Sequence, residues 1–205
     1  MDRIRAVLVD ADGVLQVNAD DWLDRLRGFV VPGDADAFVD DVFAAEQPAL
    51  RGERGFRDVV ADVCDRWGLH GREEELVGHW RHALVQPDVA ALVRELRNSG
   101  VTCHLATNQN DVRAAYLLGE LGYAELFDST FCSCDLGTTK DDPAFMRTVA
   151  ERLGLAPGQL LLVDDSAAHV ETARSAGLHA VQWSAAEDLA ELRRRLAEEG
   201  VALAG

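Results

Sequence analysis

The chain has 205 residues, a hydrophobic fraction of 48% and a formal net charge of −16. This length accommodates one large domain, or one domain with an insertion, and the apolar fraction is sufficient for a sizeable core. The negative charge argues against nucleic acids and anionic membranes as partners, because both are polyanions. A local basic site within the acidic whole would still admit a small anionic substrate.

The first strand is predicted at residues 6–9, and a segment with a different pattern follows it. Residues 17–86 contain no convincing strand but four amphipathic helical stretches, at 21–28, 34–45, 55–67 and 72–83, separated by glycine or proline breaks. An insertion after the first strand of a parallel sheet emerges at the carboxyl edge, where such sheets bind ligands. We therefore expect an all-helical cap at 17–86 and an α/β core formed by 1–16 and 87–205.

The rest of the chain alternates strands with helices. Strands are predicted at 101–106, 129–132, 160–163 and 180–183, and helices at 89–98, 111–121, 143–153 and 167–176. A capping box at Ser184 and Glu187 is expected to open a last helix that ends near Glu199. This alternation predicts an α/β fold with a Rossmann-like parallel sheet and helices on both of its faces.

Membrane and redox features of the sequence indicate a cytoplasmic protein. No stretch is long and apolar enough to span a bilayer, and the amino-terminal pattern is not that of a secretory signal. The four cysteines are too sparse for a disulfide framework, so we expect reduced thiols. Cys132 and Cys134 have no second pair to complete a metal site, and we interpret them as small residues at a strand end.

Polar side chains lie at or just beyond the ends of four predicted strands: Asp10 and Asp12, Thr107 and Asn108, Lys140, and Asp164 and Asp165. Because the carboxyl ends of parallel strands meet at one edge of a sheet, we expect these side chains to converge. A strand-end aspartate is often only a helix cap. Four independent caps and turns would leave Lys140 unexplained.

A convergent cluster of this kind has a defined chemistry. Several carboxylates a few ångströms apart cannot all stay ionised without compensation, and Lys140 supplies only one positive charge. Oxygen ligands that leave room for waters and a phosphate suit Mg²⁺. A carboxylate in such a site is able to attack phosphorus, with the metal, Lys140 and Thr107 offsetting the repulsion. A second acid must donate and accept the proton. Asp12 is two residues beyond Asp10, and side chains two residues apart in an extended strand point to the same face, so both are able to reach the same phosphate.

The order and placement of these residues resemble the four motifs of the haloacid dehalogenase (HAD) superfamily of phosphohydrolases. The matching segments are Asp10-Ala-Asp12-Gly13-Val14-Leu15, Thr107-Asn108, Lys140 with Asp142-Pro143, and Asp164-Asp165-Ser166. The resemblance covers essentially the whole chain, and the helical segment is similar to the small cap that the family carries between its first and second motifs. Within the superfamily, the chain resembles sugar-phosphate phosphatases and the phosphatase domain of soluble epoxide hydrolases.

The resemblance implies a role for each acidic residue. Asp10 would be the nucleophile and a metal ligand. Asp12 would be the general acid and base, with its backbone carbonyl on the metal. Of the later pair, Asp165 would ligate Mg²⁺ directly, and Asp164 would do so directly or through water.

The resemblance also assigns the phosphate contacts. Thr107 would bind the phosphoryl group with Asn108 beside it, and Lys140 would stabilise both the phosphate and the charge of Asp10. The family commonly has proline after this lysine, whereas this chain has Asp141, which we expect to face solvent. His169 lies on a predicted helix after Asp165, where pairing with an acid is an alternative, but we expect a solvated side chain.

These features together predict a Mg²⁺-dependent phosphatase that acts on a small phosphorylated metabolite, with sugar phosphates among the candidates, through an aspartyl-phosphate. Asp12 favours phosphate esters, because the dehalogenases of the family do not keep an aspartate there. A phosphomutase with the same motifs and a non-catalytic phosphate-binding relative stay open as alternatives. A receiver-type signalling domain combines similar groups but lacks a helical insertion after its first strand. The sequence does not determine the substrate, and an exposed cap face would allow a homodimer without requiring one.

Overall fold

A five-stranded parallel sheet forms the centre of the molecule in a computed structural model that describes residues 3–201. The strands of the chain are β1 (Ala6–Val9), β2 (Gln16–Val17), β3 (Leu84–Val85), β4 (Thr102–Thr107), β5 (Ser129–Cys132), β6 (Leu160–Asp164) and β7 (His179–Gln182). The central sheet has the order β5-β4-β1-β6-β7, and every neighbouring pair in it is parallel. The predicted α/β, Rossmann-like sheet is therefore confirmed. Residues 1–2 and 202–205 of the predicted core lie outside the described part of the chain.

Eleven α-helices accompany the strands within residues 3–201. They are α1 (Trp22–Arg27), α2 (Ala35–Leu50), α3 (Phe56–Trp67), α4 (Glu73–His79), α5 (Pro87–Asn98), α6 (Asp111–Ala115), α7 (Tyr123–Leu126), α8 (Ser133–Leu136), α9 (Pro143–Leu153), α10 (Ala167–Ser175) and α11 (Leu189–Glu198). A π-helical turn at Tyr116–Glu120 continues α6. None of the helices in this described part is long and apolar enough to cross a membrane.

The two faces of the sheet carry separate apolar clusters, because successive side chains of a strand point to opposite sides. Val7 and Val9 of β1 pack in one cluster with apolar residues of α5 and α11. Ala6 and Leu8 of the same strand pack in the other with residues of α9 and α10. Helices on both faces leave the inner strands β1 and β6 fully buried, which is why these two strands are nearly continuous apolar runs.

Helices α1 to α4 bury a third apolar cluster of their own, which includes Trp22, Phe38, Phe56, Leu76 and Trp80. A short antiparallel ribbon of β2 and β3 stands where the chain enters and leaves this helical segment. The sequence pattern did not indicate this ribbon, because two-residue strands carry no periodicity. Helix α2 also continues through Pro48 to Leu50, beyond the predicted end of this helical stretch at residue 45. Proline there lies in the last turn of the helix.

The start of α11 differs from the expectation. The helix begins at Leu189 with Asp188 as its cap, whose carboxylate accepts the Ala190 N–H at 2.8 Å. Ser184 and Glu187 form only a turn, with the Ser184 N–H bonded to the Glu187 carboxylate at 3.0 Å. The Ala185 N–H is bonded to the Gly13 carbonyl at 2.7 Å, so this stretch is held to the sheet edge and cannot enter the helix.

Candidate active site

Three side chains that are far apart in sequence form the centre of the site at the carboxyl edge of the sheet. Lys140 Nζ lies 2.7 Å from an oxygen of Asp10 and 2.6 Å from an oxygen of Asp164. The exposed fractions of Asp10, Lys140 and Asp164 are 5%, 1% and 0%. A buried ammonium between two buried carboxylates is a costly arrangement that persists only with such close pairing.

The backbone explains why these groups meet. The Asp10 N–H donates to the Val163 carbonyl at 3.0 Å, which continues the pairing of β1 with β6 and sets Asp10 beside Asp164. Lys140 lies in the loop between α8 and α9, and its backbone N–H donates to the side-chain oxygen of Asn108 at 2.9 Å. The parallel strands and this one side-chain bond therefore bring the three groups together.

The carboxylates of Asp10, Asp164 and Asp165 offer ligand atoms within 4.8 Å of one another. Asp165 approaches the chain at Gly13 so closely that a Cβ there would lie 2.2 Å from its Oδ2, and Gly13 has a φ of +83°. Three carboxylates against the single ammonium of Lys140 leave two negative charges. This oxygen-only donor set with its uncompensated charge fits a hard divalent cation such as Mg²⁺.

The electrostatics of the cluster reflect burial and close pairing. Burial raises the pKa of Asp10 to about 7, although the charge of Lys140 opposes the rise, and Asp164 adds to it. Burial lowers the pKa of Lys140, but the two flanking carboxylates raise it by more, so this lysine is held protonated. Burial raises the pKa of Asp164, and the bonds from His169 and Lys140 lower it by more. The pocket is thus an ion cluster that a further positive charge would stabilise.

Asp12 lies beside this cluster, and three donors hold its carboxylate. Arg113 Nη2 and Gln16 Nε2 donate to Oδ1 at 2.6 and 2.9 Å, and Gln109 Nε2 donates to Oδ2 at 2.7 Å. Burial raises the pKa of Asp12, while the charge of Arg113 and these hydrogen bonds lower it below the ordinary value. Its side chain remains about two-fifths exposed, unlike that of Asp10.

The predicted phosphate-binding residues lie at the same edge. Thr107, the last residue of β4, is buried, and its hydroxyl oxygen accepts a hydrogen bond from Gln109 Nε2 at 3.0 Å. Asn108 directs its side-chain oxygen to the Lys140 backbone and so also braces the lysine loop. All seven residues selected from the sequence, which are Asp10, Asp12, Thr107, Asn108, Lys140, Asp164 and Asp165, therefore stand around one edge of the sheet.

His169 differs from the expectation of a solvated side chain. Its Nδ1 lies 3.1 Å from Oδ1 of Asp164, and its Nε2 lies 3.4 Å from a carboxylate oxygen of Asp141. Burial lowers the pKa of His169, and the hydrogen bond with Asp164 raises it by more. Asp141 itself is exposed, as expected. His169 therefore supports the buried Asp164 from the side opposite Lys140.

A model of the haloacid dehalogenase-like hydrolases matches residues 4–177 of the chain. The chain belongs to this family. The matched range begins before Asp10 and ends after Asp165, so it contains the entire cluster described above.

Phosphatases are among the relatives of the chain. A phosphoglycolate phosphatase from Rhodospirillum rubrum is 29% identical over 192 residues, which are 88% of this chain and 79% of the relative. A phosphoglycolate phosphatase from Escherichia coli K12 is 35% identical over 95 residues, 46% of this chain and 38% of the relative. The HAD-like chain is thus similar to phosphatases over most of its length.

Solved structures share the fold. A HAD family enzyme from Bacteroides thetaiotaomicron, in complex with magnesium and inorganic phosphate, superposes with a TM-score of 0.77 at 20% identity, over 92% of this chain and 98% of that chain. An L-2-haloacid dehalogenase from Xanthobacter autotrophicus gives a TM-score of 0.65 at 20% identity, over 97% of this chain and 84% of its own. The HAD family enzyme and the dehalogenase therefore share the fold of this HAD-like hydrolase.

Sequence reasoning missed the donors around Asp12. Gln16 and Gln109 lie close in sequence to predicted site residues. A polar side chain without an assigned role beside a motif was the only sign in the sequence that they contact Asp12. Arg113 carried no signal, since an arginine on an amphipathic helix is ordinarily solvated, yet it is buried here.

Proposed function

We propose that this HAD-like hydrolase is a Mg²⁺-dependent phosphatase that hydrolyses a small phosphorylated metabolite through an aspartyl-phosphate on Asp10. One observation carries the proposal: buried Lys140 bridges Asp10 and Asp164, and Asp165 adds a third carboxylate within reach of the same cation. The named phosphatase relatives support the same reaction class.

Asp10 is the proposed nucleophile. One of its oxygens is held by Lys140 and by the N–H of Ala11, which lies 2.7 Å away, so the carboxylate is fixed at the end of β1. Attack on phosphorus forms the Asp10–phosphate bond and breaks the bond to the leaving alcohol. Asp10, Asp164, Asp165 and the Asp12 backbone carbonyl would hold Mg²⁺, which would supply positive charge for the phosphoryl oxygens.

The remaining residues bind the phosphoryl group and move the proton. Lys140 offsets the charge of Asp10 and of the phosphoryl oxygens, while Thr107 and Asn108 contribute hydrogen bonds at the end of β4. The negative charge of a bound phosphate beside Asp12 would raise its pKa, so that the protonated carboxyl donates a proton to the leaving alcohol, and the resulting carboxylate then removes one from the water that hydrolyses the intermediate. These two proton transfers regenerate Asp12 in its starting state.

The helical segment at 17–86 is the proposed cap, and residues 1–16 and 87–205 are the proposed core. The cap follows the first site strand and contacts the core at several points, such as the Phe56 N–H that donates to Asp111 at 2.8 Å. A cap over the site limits the substrate to a small molecule. The relatives make 2-phosphoglycolate the first compound to assay beside hexose phosphates. We place the protein in the cytoplasm, where its free cysteines stay reduced.

Replacement of the nucleophile tests the proposal. Asp10→Asn is expected to abolish phosphate release from p-nitrophenyl phosphate with Mg²⁺, whereas Asp21→Asn, the same change at an exposed carboxylate, retains the activity. Mass spectrometry of acid-quenched wild-type protein is expected to find phosphate on the peptide that contains Asp10. Retention of most activity by Asp10→Asn would show that another group attacks phosphorus.

Product analysis separates the alternatives. Incubation with a hexose phosphate and Mg²⁺ is expected to release inorganic phosphate, and an isomeric hexose phosphate in its place would identify a mutase. Incubation with 2-chloropropionate is expected to release no chloride, because Asp12 favours phosphate esters. A failure to turn over any compound of a phosphate-ester panel would identify a non-catalytic relative.

A further inference from the structure

Arg113 occupies an unusual position for an arginine, because its guanidinium is buried at the junction of three parts of the chain. The side chain starts on α6 of the core, and the residue is 5% exposed. Its Nη2 donates to Asp12 Oδ1 at 2.6 Å and lies 3.3 Å from the side-chain oxygen of Asn18. Its Nη1 donates to the Trp80 carbonyl at 2.7 Å. One planar group thus contacts a proposed catalytic carboxylate and the helical segment together.

The contact with Trp80 lies near the connection between the helical segment and the sheet. Trp80 caps the carboxyl end of α4, where helix carbonyls have no partner within the helix. The chain leaves the helical segment just after this residue, and Asn18 lies on the connection by which it enters. Arg113 therefore binds both connections between the helical segment and the sheet.

A second buried contact strengthens this junction. The carboxylate of Glu46 on α2 accepts hydrogen bonds from Trp80 Nε1 at 2.9 Å and from Asn110 Nδ2 at 2.6 Å. Asn110 is the cap of α6, and its side-chain oxygen accepts the Arg113 N–H at 2.9 Å. All of these groups are buried. The helix that carries Arg113 is thereby fixed to the helical segment by polar groups on both sides of the guanidinium.

Breaking any one of these buried charge-assisted bonds is costly. Removing one partner leaves the other charge in a low-dielectric environment without compensation, which is strongly unfavourable. If the helical segment moves away from the sheet, Arg113 loses its hydrogen bond to the Trp80 carbonyl, and the guanidinium is no longer held in the orientation that binds Asp12. The orientation of Asp12 and the position of the helical segment are therefore energetically linked.

We propose that Arg113 is a positioning residue that orients the Asp12 carboxylate for proton transfer only while the helical segment lies docked against the sheet. The inference rests on the proposed phosphatase function, in which Asp12 protonates the leaving alcohol and activates water. Arg113 acts through Asp12 and the Trp80 carbonyl and has no hydrogen bond to Asp10, Lys140, Asp164 or Asp165. Proton transfer at the site is thus confined to the form in which the helical segment is docked.

The dependence of the rate on the leaving group tests this role. For Arg113→Met, kcat/KM for an alkyl phosphate such as 2-phosphoglycolate is expected to fall about 100-fold or more, the usual size of a general-acid contribution. For p-nitrophenyl phosphate, whose leaving group departs without a proton, the expected fall is less than about tenfold. Arg113→Lys keeps the charge but not the two-pronged geometry, and the same selective loss is expected. Equal losses for both substrates, or no loss, would overturn the proposal.

Arg97→Met is the matched control. Arg97, on α5, also bridges a carboxylate and a backbone carbonyl, Asp128 at 2.9 Å and Leu126 at 2.7 Å. Asp128 accepts the Cys103 N–H, at the end of β4 opposite the site. This variant is expected to keep both kcat/KM values within about twofold of wild type, since neither Asp12 nor the helical segment contacts it. A selective loss for the alkyl phosphate in Arg97→Met would also contradict the assignment.

Hydrogen–deuterium exchange tests the link without any measurement of activity. Arg113→Met is expected to raise amide exchange in α4 and in the ribbon of β2 and β3. Asp12→Ala is expected to raise exchange in α4 as well, although Asp12 does not touch that helix, because linkage is reciprocal. Unchanged α4 exchange in Asp12→Ala would overturn the link. Absence of turnover by the wild-type protein would overturn the proposed function and leave the exchange experiment to decide the link.

Discussion

Lys140→Met is expected to cause a large loss of stability. The ammonium lies 2.7 Å from Asp10 and 2.6 Å from Asp164, and all three groups are buried. Methionine fills a similar volume but leaves two carboxylates facing each other without a counter-charge. The folded state must then either hold both charges in a poorly solvated site or bind a proton.

Removal of one partner from a buried ion pair costs about 3–5 kcal/mol of unfolding free energy. For a chain of this size, each kcal/mol lowers Tm by roughly 2–4 °C, so the expected decrease is roughly 6–20 °C. The loss also depends on pH. Burial raises the pKa of Asp10 from 3.8 to about 7 even with Lys140 present, and removal of the lysine charge raises it further.

A group whose pKa is raised on folding contributes stability below its unfolded pKa and loses that contribution as pH rises through the folded pKa. The difference between Lys140→Met and wild type is therefore expected to be larger at about pH 8 than at about pH 5. Unfolding in guanidinium chloride measures this difference in unfolding free energy. EDTA is present because a bound cation would replace the missing charge of the lysine. Arg147→Met, which removes an exposed ion pair of 4.0 Å, is the control and is expected to lose less than about 1 kcal/mol. A loss no larger than that of the control at either pH would refute the reasoning.

Three further substitutions test other parts of the structure. Gly52→Ala places a Cβ 2.1 Å from the Cys134 carbonyl oxygen at a φ of +65°, and is expected to lose about 1–3 kcal/mol in thermal unfolding. Gly13→Ala displaces the Asp165 carboxylate and is expected to weaken Mg²⁺ binding about tenfold or more in calorimetric titration. Burial lowers the pKa of His79 to about 4, so wild-type stability is expected to fall by up to about 3 kcal/mol as pH drops from 6.5 towards 4, whereas His79→Phe removes this dependence.

Each of these predictions has its own contradicting result. Gly33→Ala, where a new Cβ meets nothing within 4 Å, is the control for Gly52→Ala, and equal stability of the two variants would exclude the clash. Wild-type Mg²⁺ affinity in Gly13→Ala would mean that Asp165 does not bind the ion from its present position. If His79→Phe lost as much stability as wild type between pH 6.5 and pH 4, other groups would be responsible for the loss.

The sheet and the convergence of the site were predictable because both follow from local patterns. An apolar run that ends in Asp10 predicts a buried strand, and parallel strands direct all of their carboxyl ends to one edge. The spacing of Asp10 and Asp12 follows from the two-residue period of a strand. Thr107 and Asp164 then needed only the strand positions to be placed beside them, whereas Lys140 also needed the loop that Asn108 holds.

The surroundings of Asp12 were decided only by the tertiary structure. Asp12 and Arg113 are 101 positions apart, and no periodicity records which distant side chain will meet a given carboxylate. The same holds for His169 and Asp164, which required α10 to lie at a particular rotation against β6. The start of α11 also depended on a distant partner, the Gly13 carbonyl that holds Ala185 to the sheet.

The sequence by itself therefore determined the α/β fold, the strands and the groups expected to perform chemistry, because hydrophobic periodicity and strand direction are local properties of the chain. Only the tertiary structure decided how those groups are held. The buried contacts of Arg113 with Asp12 and Trp80 depend on how separate segments pack, and their geometry exists only once the core and the helical segment have come together.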